Sequence, residues 1–380
     1  MKMMQKKITI YILLLTILFL IPFAQAVQLN QLSVNKSIKF DISGTLQTIF
    51  TKSEIDILDE DIDIHRFRLN VSGILDENIS FYSEFEMGSN MSPEELWKAR
   101  PAFRMKILDP NSVDPGIAAG ARYAQNDFGE DSRLVQAYVD LKYFKKITLR
   151  IGQMARGSGY ELNTPVNELE TINYSTSVGQ FGKFVRGFQL KLAPFKFLKI
   201  GIGVDDSVGG ITGGINTPKA KLSTGLKVVL IPWQKHLSLK ICGRHVSQTN
   251  DMPDANAGIV GVDFKYQGFH FQGEMYHLHV NPVDMDKGKG IKGNVCSWYV
   301  HASYIIPTTN IQLVTRYNFF EKRMRDRITD ILKPTANYYM EIITAGVNYR
   351  FSPNTRLQVM YDAVDGHEND SLDIQLELSF

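Results

Sequence analysis

The sequence predicts an all-β fold: a chain closed into a 16-stranded antiparallel transmembrane β-barrel. Three observations predict it. Runs of alternating polarity recur at membrane-crossing length, the links between them alternate between short and long, and proline stays out of the run interiors. The final run shows the pattern most cleanly. Leu372, Ile374, Leu376, Leu378 and Phe380 alternate with Asp373, Gln375, Glu377 and Ser379. A period of two puts the apolar set on one face of a strand and the polar set on the other. A strand so regular needs a partner on each edge, and barrel closure supplies both.

A tilted strand needs about 9–11 residues to cross a bilayer. Runs of that kind lie near 38–50, 65–75, 79–88, 133–143, 147–155, 186–193, 196–205, 219–230, 236–247, 258–267, 269–280, 296–306, 311–321, 338–351, 355–364 and 371–380. Those at 186–193 and 269–280 are blurred. Short links fall at Asp76 to Asn78, Phe144 to Lys146, Pro194-Phe195, Ile231 to Lys235, Gln267-Gly268, Pro307 to Asn310 and Ser352 to Asn354. Long links fall at 51–64, 89–132, 156–185, 206–218, 248–257, 281–295, 322–337 and, more modestly, 365–370. This rhythm predicts short periplasmic turns and long external loops, with both termini in the periplasm. Proline cannot donate to a strand ladder. Every proline after residue 26 falls in a link or at a strand boundary.

Aromatic residues gather at the short-link ends: Tyr143, Phe144, Phe195, Phe197, Trp233, Tyr266, Phe269, Tyr349, Phe351 and Phe380. This grouping predicts an interfacial girdle. Within the link 89–132, Ser92-Pro93-Glu94-Glu95 reads as a helix start, and Pro101 would end that helix.

Residues 1–26 read as a cleaved signal peptide: basic Lys2, Lys6 and Lys7, an apolar stretch from Ile8 to Ile21, and the small-x-small site Ala24-Gln25-Ala26. Residues 27–380 are then a single barrel domain, exported to the outer membrane of a bacterial cell. The chain's 42 basic residues, less those three lysines, stand against 40 acidic ones and leave a net charge of −1. Such a balance argues against nucleic-acid binding. Cys242 and Cys296 fall on separate runs and are read as unpaired.

Two hairpins resemble the phosphate-selective porin O and P family, a group of trimeric 16-stranded outer-membrane channels. One is Arg66-Phe67-Arg68-Leu69-Asn70-Val71-Ser72-Gly73 followed by Phe81-Tyr82-Ser83-Glu84-Phe85-Glu86. The other is Ala137-Tyr138-Val139-Asp140-Leu141-Lys142-Tyr143 followed by Leu149-Arg150-Ile151-Gly152-Gln153. The next residues, Met154 to Tyr160, depart from the family's Phe-Lys-x-Pro-Phe-like continuation. The resemblance implies a homotrimeric porin that partners outer-membrane lipid and the outer-membrane insertion machinery. It does not imply phosphate selectivity.

With the apolar residues facing lipid, the other face lines a lumen. Basic side chains outnumber acidic ones there. The pore-lining candidates are Arg66, Arg68, Arg150, Lys219, Lys221, Lys227, Lys240, Arg244 and Arg316, with further bases such as Lys191, Lys199 and Arg356. The acids include Glu84, Glu86, Asp140, Asp205, Glu274 and Glu377. A basic water-filled lumen raises the local anion concentration, so the expected solutes are small and polar or anionic. The third external link, 156–185, is long enough to fold inward. Its Glu161, Glu168 and Glu170 are the constriction-loop candidates, expected to face Arg66, Arg68 and Arg150 across the opening.

Other motifs are weaker. The glycines of 209–214 lack the Lys-Ser/Thr of a phosphate-binding loop. His277 and His279 lack an evident third metal ligand and read as rim residues. Neither Ser247 near His245 nor His301 beside Ser303 makes a readable catalytic triad. The sequence therefore predicts no enzyme, cofactor or metal centre. The rival readings are a closed-lumen structural or adhesive barrel and, further off, an outer-membrane barrel enzyme.

Overall fold

The computed structural model describes residues 39–53, 61–87, 133–155, 159–175, 184–206, 222–233, 236–246, 255–280, 291–326, 337–365 and 370–380. The signal-peptide segment, the helix expected after Ser92, the glycine-rich link and Ser247 lie outside these residues. Sixteen strands follow in order: β1 Lys39–Ser53, β2 Asp61–Asp76, β3 Ile79–Met87, β4 Arg133–Phe144, β5 Ile147–Ala155, β6 Phe184–Phe195, β7 Leu198–Asp206, β8 Leu222–Trp233, β9 Leu237–Val246, β10 Ala255–Tyr266, β11 Phe269–Val280, β12 Ile291–Ile305, β13 Ile311–Asp326, β14 Asn337–Ser352, β15 Thr355–Val364 and β16 Ser371–Ser379. Each pairs antiparallel with its chain neighbours, and β1 pairs with β16 from Thr45↔Ser379 to Ser53↔Ser371, which closes the barrel. Among the described residues no helix is long and apolar enough to cross a membrane. A barrel crosses with strands, whose backbone groups are satisfied by their neighbours.

The turns at one barrel end have local causes. Asp76 Oδ1 accepts hydrogen bonds from the backbone N–H of Asn78 (2.7 Å) and Ile79 (2.9 Å), which folds the β2–β3 link. Gln267 and Gly268 both have positive φ, at 46° and 82°, the two-residue turn that matches strand twist. Proline corrects one expectation. Pro194 and Pro232 lie inside the last residues of β6 and β8 rather than in links. Both sit where the register shifts, between Leu192 and Phe195 and between Leu230 and Trp233. A bulge leaves a residue unpaired, so the missing N–H costs no ladder bond there.

At the other end β2, β12 and β13 run four or five residues past their expected ends, to Asp61, Ile291 and Asp326. Pairing can continue beyond the apolar zone, where both faces can be polar and the alternation fades. The expected girdle residues sit at the turn end with large exposure: Tyr143, Phe144, Phe195, Phe197, Trp233 and Phe351 are each about half exposed or more. Phe195 stacks on Phe197, and Trp233 contacts Tyr266.

Register sets the inner face. Gln375 pairs with Gln358 and Gln358 with Asn348, and their side chains join in a buried hydrogen-bond row that continues to Gln312 and Ser303. That inner face is not uniformly polar. Cys242, Ile259, Tyr276, Leu278, Val295, Tyr299 and Phe320 form one buried cluster on it. Its presence explains the blurred run at 269–280, where Tyr276 and Leu278 are the inward residues. His277 and His279 therefore take the opposite, outward face of β11. No disulfide joins Cys242 and Cys296.

Candidate functional site: an inward strap and the inner wall

Residues 159–175, between β5 and β6, lie inside the barrel as a strap containing two short 3-10 turns, Glu161–Asn163 and Val166–Glu168. The link was expected to fold inward, and it does. Its docking begins at Glu274 of β11, which is buried. Glu274 accepts the backbone N–H of Tyr160 (2.5 Å) and the hydroxyls of Tyr276 (2.9 Å) and Tyr299 (2.6 Å). The Tyr160 hydroxyl meets Ser238 at 2.5 Å, and Lys240 Nζ lies 3.6 Å from the Tyr160 ring centre. Burial pushes the Tyr160 hydroxyl up to about 12, so it stays neutral.

The middle of the strap is fixed by Glu161 and Arg316. Glu161 accepts from Arg316 Nη1 at 2.9 Å and from the Ser175 N–H, while the same guanidinium reaches Thr171 Oγ1 and the Asn173 carbonyl. Both partners are buried. Ile172 drops into an inner-face pad of Val314, Met360 and Ile49. Arg356 donates to the Leu169 carbonyl (2.7 Å) and to Glu377 (2.8 Å). Asn348 and Gln358 both donate to the Glu170 carbonyl.

The Glu170 carboxylate sits between His301 Nε2 (2.5 Å) and His270 Nδ1 (3.0 Å). Burial alone would raise this carboxyl, but the two neighbouring histidines outweigh it and hold the group well below the usual carboxylate range. Burial raises the Tyr174 hydroxyl, whose ring stands 5.9 Å from the Arg66 guanidinium.

The expected opposition of strap acids and early-strand arginines takes another form. Arg68 binds Glu84 (2.6 Å) and Glu86 (2.5 Å) on the adjacent strand, and Arg66 lies 3.6 Å from Glu86. Arg150 grips Asp140 with two hydrogen bonds, 2.7 and 2.8 Å, and stacks 3.5 Å over Tyr138. Arg244 pairs with Asp205 of β7. Glu161 and Glu170 instead dock on Arg316, His270 and His301, and Glu168 is exposed. Each early arginine has a nearer carboxylate on a neighbouring strand. Lys227 takes the inner face of β8, whereas Lys219 and Lys221 lie outside the described residues.

One feature of the wall was only partly visible in sequence. Lys191 of β6 and Lys227 of β8 are register partners of the same residue, Gly201 of β7. Lys199, two residues away on β7, points the same way. Among the described residues none of these three lysines has an ion-pair partner. A cleft runs along this wall, bordered by Gln189, Gly201, Asp205, Gly225, Lys227 and Arg244. A glycine at 201 leaves the Lys227 stem room, since a Cβ there would sit 3.6 Å from its Cε.

A scan against protein-family models gives no match for this sequence, and a search of curated proteins gives none. Solved structures do match. The outer-membrane channel DcaP of Acinetobacter baumannii aligns over 91% of this chain and 99% of its own, with a TM-score of 0.60 and 14% identity. OmpF of Salmonella typhi, solved with daunomycin, aligns over 90% and 98%, with a TM-score of 0.61 and 11% identity. This chain has the porin fold. An anion-selective porin from Comamonas acidovorans aligns over 90% of this chain and 100% of its own, with a TM-score of 0.58 and 11% identity. At such identities the likeness carries the barrel architecture and no residue's role.

Proposed function

We propose that the protein is an outer-membrane porin, a water-filled channel for passive diffusion of small polar solutes with a mild preference for anions. The observation that carries this reading is the unpaired lysine row, Lys191, Lys199 and Lys227, on the inner wall of a closed barrel, with Lys227 bordering a cleft there. Like charges without counter-charges create a field that gathers anions, whereas paired charges largely cancel. In this reading the turn end is periplasmic, the loop end external, residues 1–26 are removed on export, and the mature barrel assembles as a homotrimer, as the two hairpins resembling the phosphate-selective porin O and P family suggest. In this reading the chemistry is transport and not catalysis.

The test is planar-bilayer conductance of refolded protein with reversal potentials in a KCl gradient. Anion preference at low salt is expected. It should fade toward 1 M, where the Debye length falls to about 3 Å. Changing Lys191, Lys199 and Lys227 together to Glu is expected to turn the preference toward cations. An unchanged reversal potential would remove these lysines from the conducting path. A second reading, a closed structural barrel, draws on the buried inner-face cluster around Tyr276 and Tyr299. Folded barrel without conductance at any voltage would favour it.

A further inference from the structure

We propose that Glu170 of the strap and His270 and His301 of the wall form a three-ligand site for a divalent transition-metal ion such as Zn2+. The ligand atoms, one carboxylate oxygen and two imidazole nitrogens, all lie within 4.8 Å of one another. They come from three chain segments: the strap, β11 and β12. Two imidazoles with a carboxylate suit zinc and its d-block neighbours and do not suit Mg2+ or Ca2+, which take oxygen ligands.

His270 supplies an independent observation. Its Nε2 meets Asp263 Oδ1 at 2.7 Å, so that nitrogen carries the proton given to the carboxylate. In the neutral ring Nδ1 then presents a lone pair. That Nδ1 is buried, has no hydrogen-bond partner, and points toward Glu170 Oε2 at 3.0 Å. A proton on Nδ1 or a metal ion can sit between these two atoms, and the absence of a formed hydrogen bond leaves the place open to the ion. A carboxylate that orients a histidine from behind, with the other ring nitrogen turned to a metal, is the usual outer support of a histidine ligand.

The geometry needs little adjustment. Bonds of about 2.0–2.2 Å in a tetrahedral site place ligand atoms about 3.3 Å apart. Glu170 Oε2 is 3.0 Å from His270 and 2.5 Å from His301, so the carboxylate parts from each by less than about 1 Å to admit the ion, while the two imidazole nitrogens, within 4.8 Å of each other, close around it. The strap backbone at Glu170 is held separately, through its carbonyl, by Asn348 and Gln358. The ligand is thus presented by a supported backbone. Three protein ligands leave a fourth position for water or an anion. The ion would clamp the strap to β11 and β12. This inference does not depend on the direction of ion selectivity.

The test uses the full mature chain, refolded in detergent and stripped with a chelator, with Co2+ as a visible probe and Zn2+ as competitor. One Co2+ per chain with ligand-field absorption is expected, displaced by one Zn2+ and unaffected by Mg2+. Glu170→Gln, nearly isosteric, and His301→Ala should abolish the signal. Asp263→Asn should keep the stoichiometry and weaken affinity about 10–100-fold. Changing both outward histidines, His277 and His279, to Ala should change nothing. Absence of stoichiometric binding to the folded protein overturns the site. So does binding that survives Glu170→Gln, an affinity left unchanged by Asp263→Asn, or binding lost with His277 and His279. Should His301→Ala fail to fold, those two milder variants decide.

Discussion

On the β11–β16 side of the barrel, charged side chains meet partners: Arg316 with Glu161, Arg356 with Glu377, and Glu170 with two histidines. On the β6–β8 side, Lys191, Lys199 and Lys227 meet none among the described residues. The same residue chemistry therefore does two jobs. Paired charges on one wall hold a loop in place, and their fields largely cancel beyond their own separation. Unpaired charges on the other wall hold nothing and act at a distance on whatever enters. In the proposed channel the first wall would set how wide the opening is, and the second which sign of ion it prefers.

The largest expected effect breaks the docking wall. Arg316→Ala leaves Glu161 buried without its cation and also removes donors to Thr171 and Asn173. Removing one member of a buried pair costs about 3–5 kcal/mol. The strap should come loose, with larger single-channel conductance and more current noise. Arg316→Met combined with Glu161→Gln should recover part of the loss, because no charge is then left stranded. A quiet channel of unchanged conductance from Arg316→Ala would mean that the apolar pad under Ile172 holds the strap by itself.

Two glycine changes probe the second wall. Gly187→Asp should fail to form a barrel, because a Cβ there runs into the Val204 carbonyl and comes within 2.6 Å of Asp205 Cα. That backbone contact cannot move aside. Gly201→Asp should fold, since the nearest atom to its Cβ is the flexible Lys227 stem at 3.6 Å. It sets a carboxylate between Lys191 and Lys227. One unit charge at about 4 Å is worth about 1 kcal/mol in water, so the low-salt anion preference should fall by at most about fivefold. Heat-modifiable gel mobility separates folding from selectivity in both variants. A Gly201→Asp barrel that folds and keeps its full preference would place the selective field elsewhere.

The two walls differ in how much of them the sequence reveals. Strand order, the turn-side strand ends and the inward face of residues such as Lys227 and Arg150 follow from a period of two, a local signal spread over ten residues. The docking contacts join residues far apart in the chain: Glu161 and Arg316 are 155 positions apart, and Glu170 and His301 131. Alternation says that Arg316 points inward and says nothing about what it meets. Some of the missed contacts did leave a trace. Ile49, Val314 and Met360 are apolar residues on the water-facing parity of their strands, and such exceptions mark where a loop lands. His270 left none, since a single inward histidine looks the same with or without a partner.

The smallest expected effect comes from Glu168. It is the one candidate acid of the strap that is exposed, with no ion pair among the described residues. Glu168→Gln removes its charge and keeps its shape. With no buried partner to strand, stability should change by less than about 0.5 kcal/mol. Taking a negative charge from the strap should nudge the reversal potential toward anions, the opposite sign to Gly201→Asp. The shift should be the smaller of the two, because an exposed charge is screened by salt more fully than one set between wall lysines. It should vanish near 1 M salt. Both variants can be read in one series of KCl gradients. If Glu168→Gln moves the potential as far as Gly201→Asp does, the strap sets the field together with the wall, and the division of labour between the two sides fails.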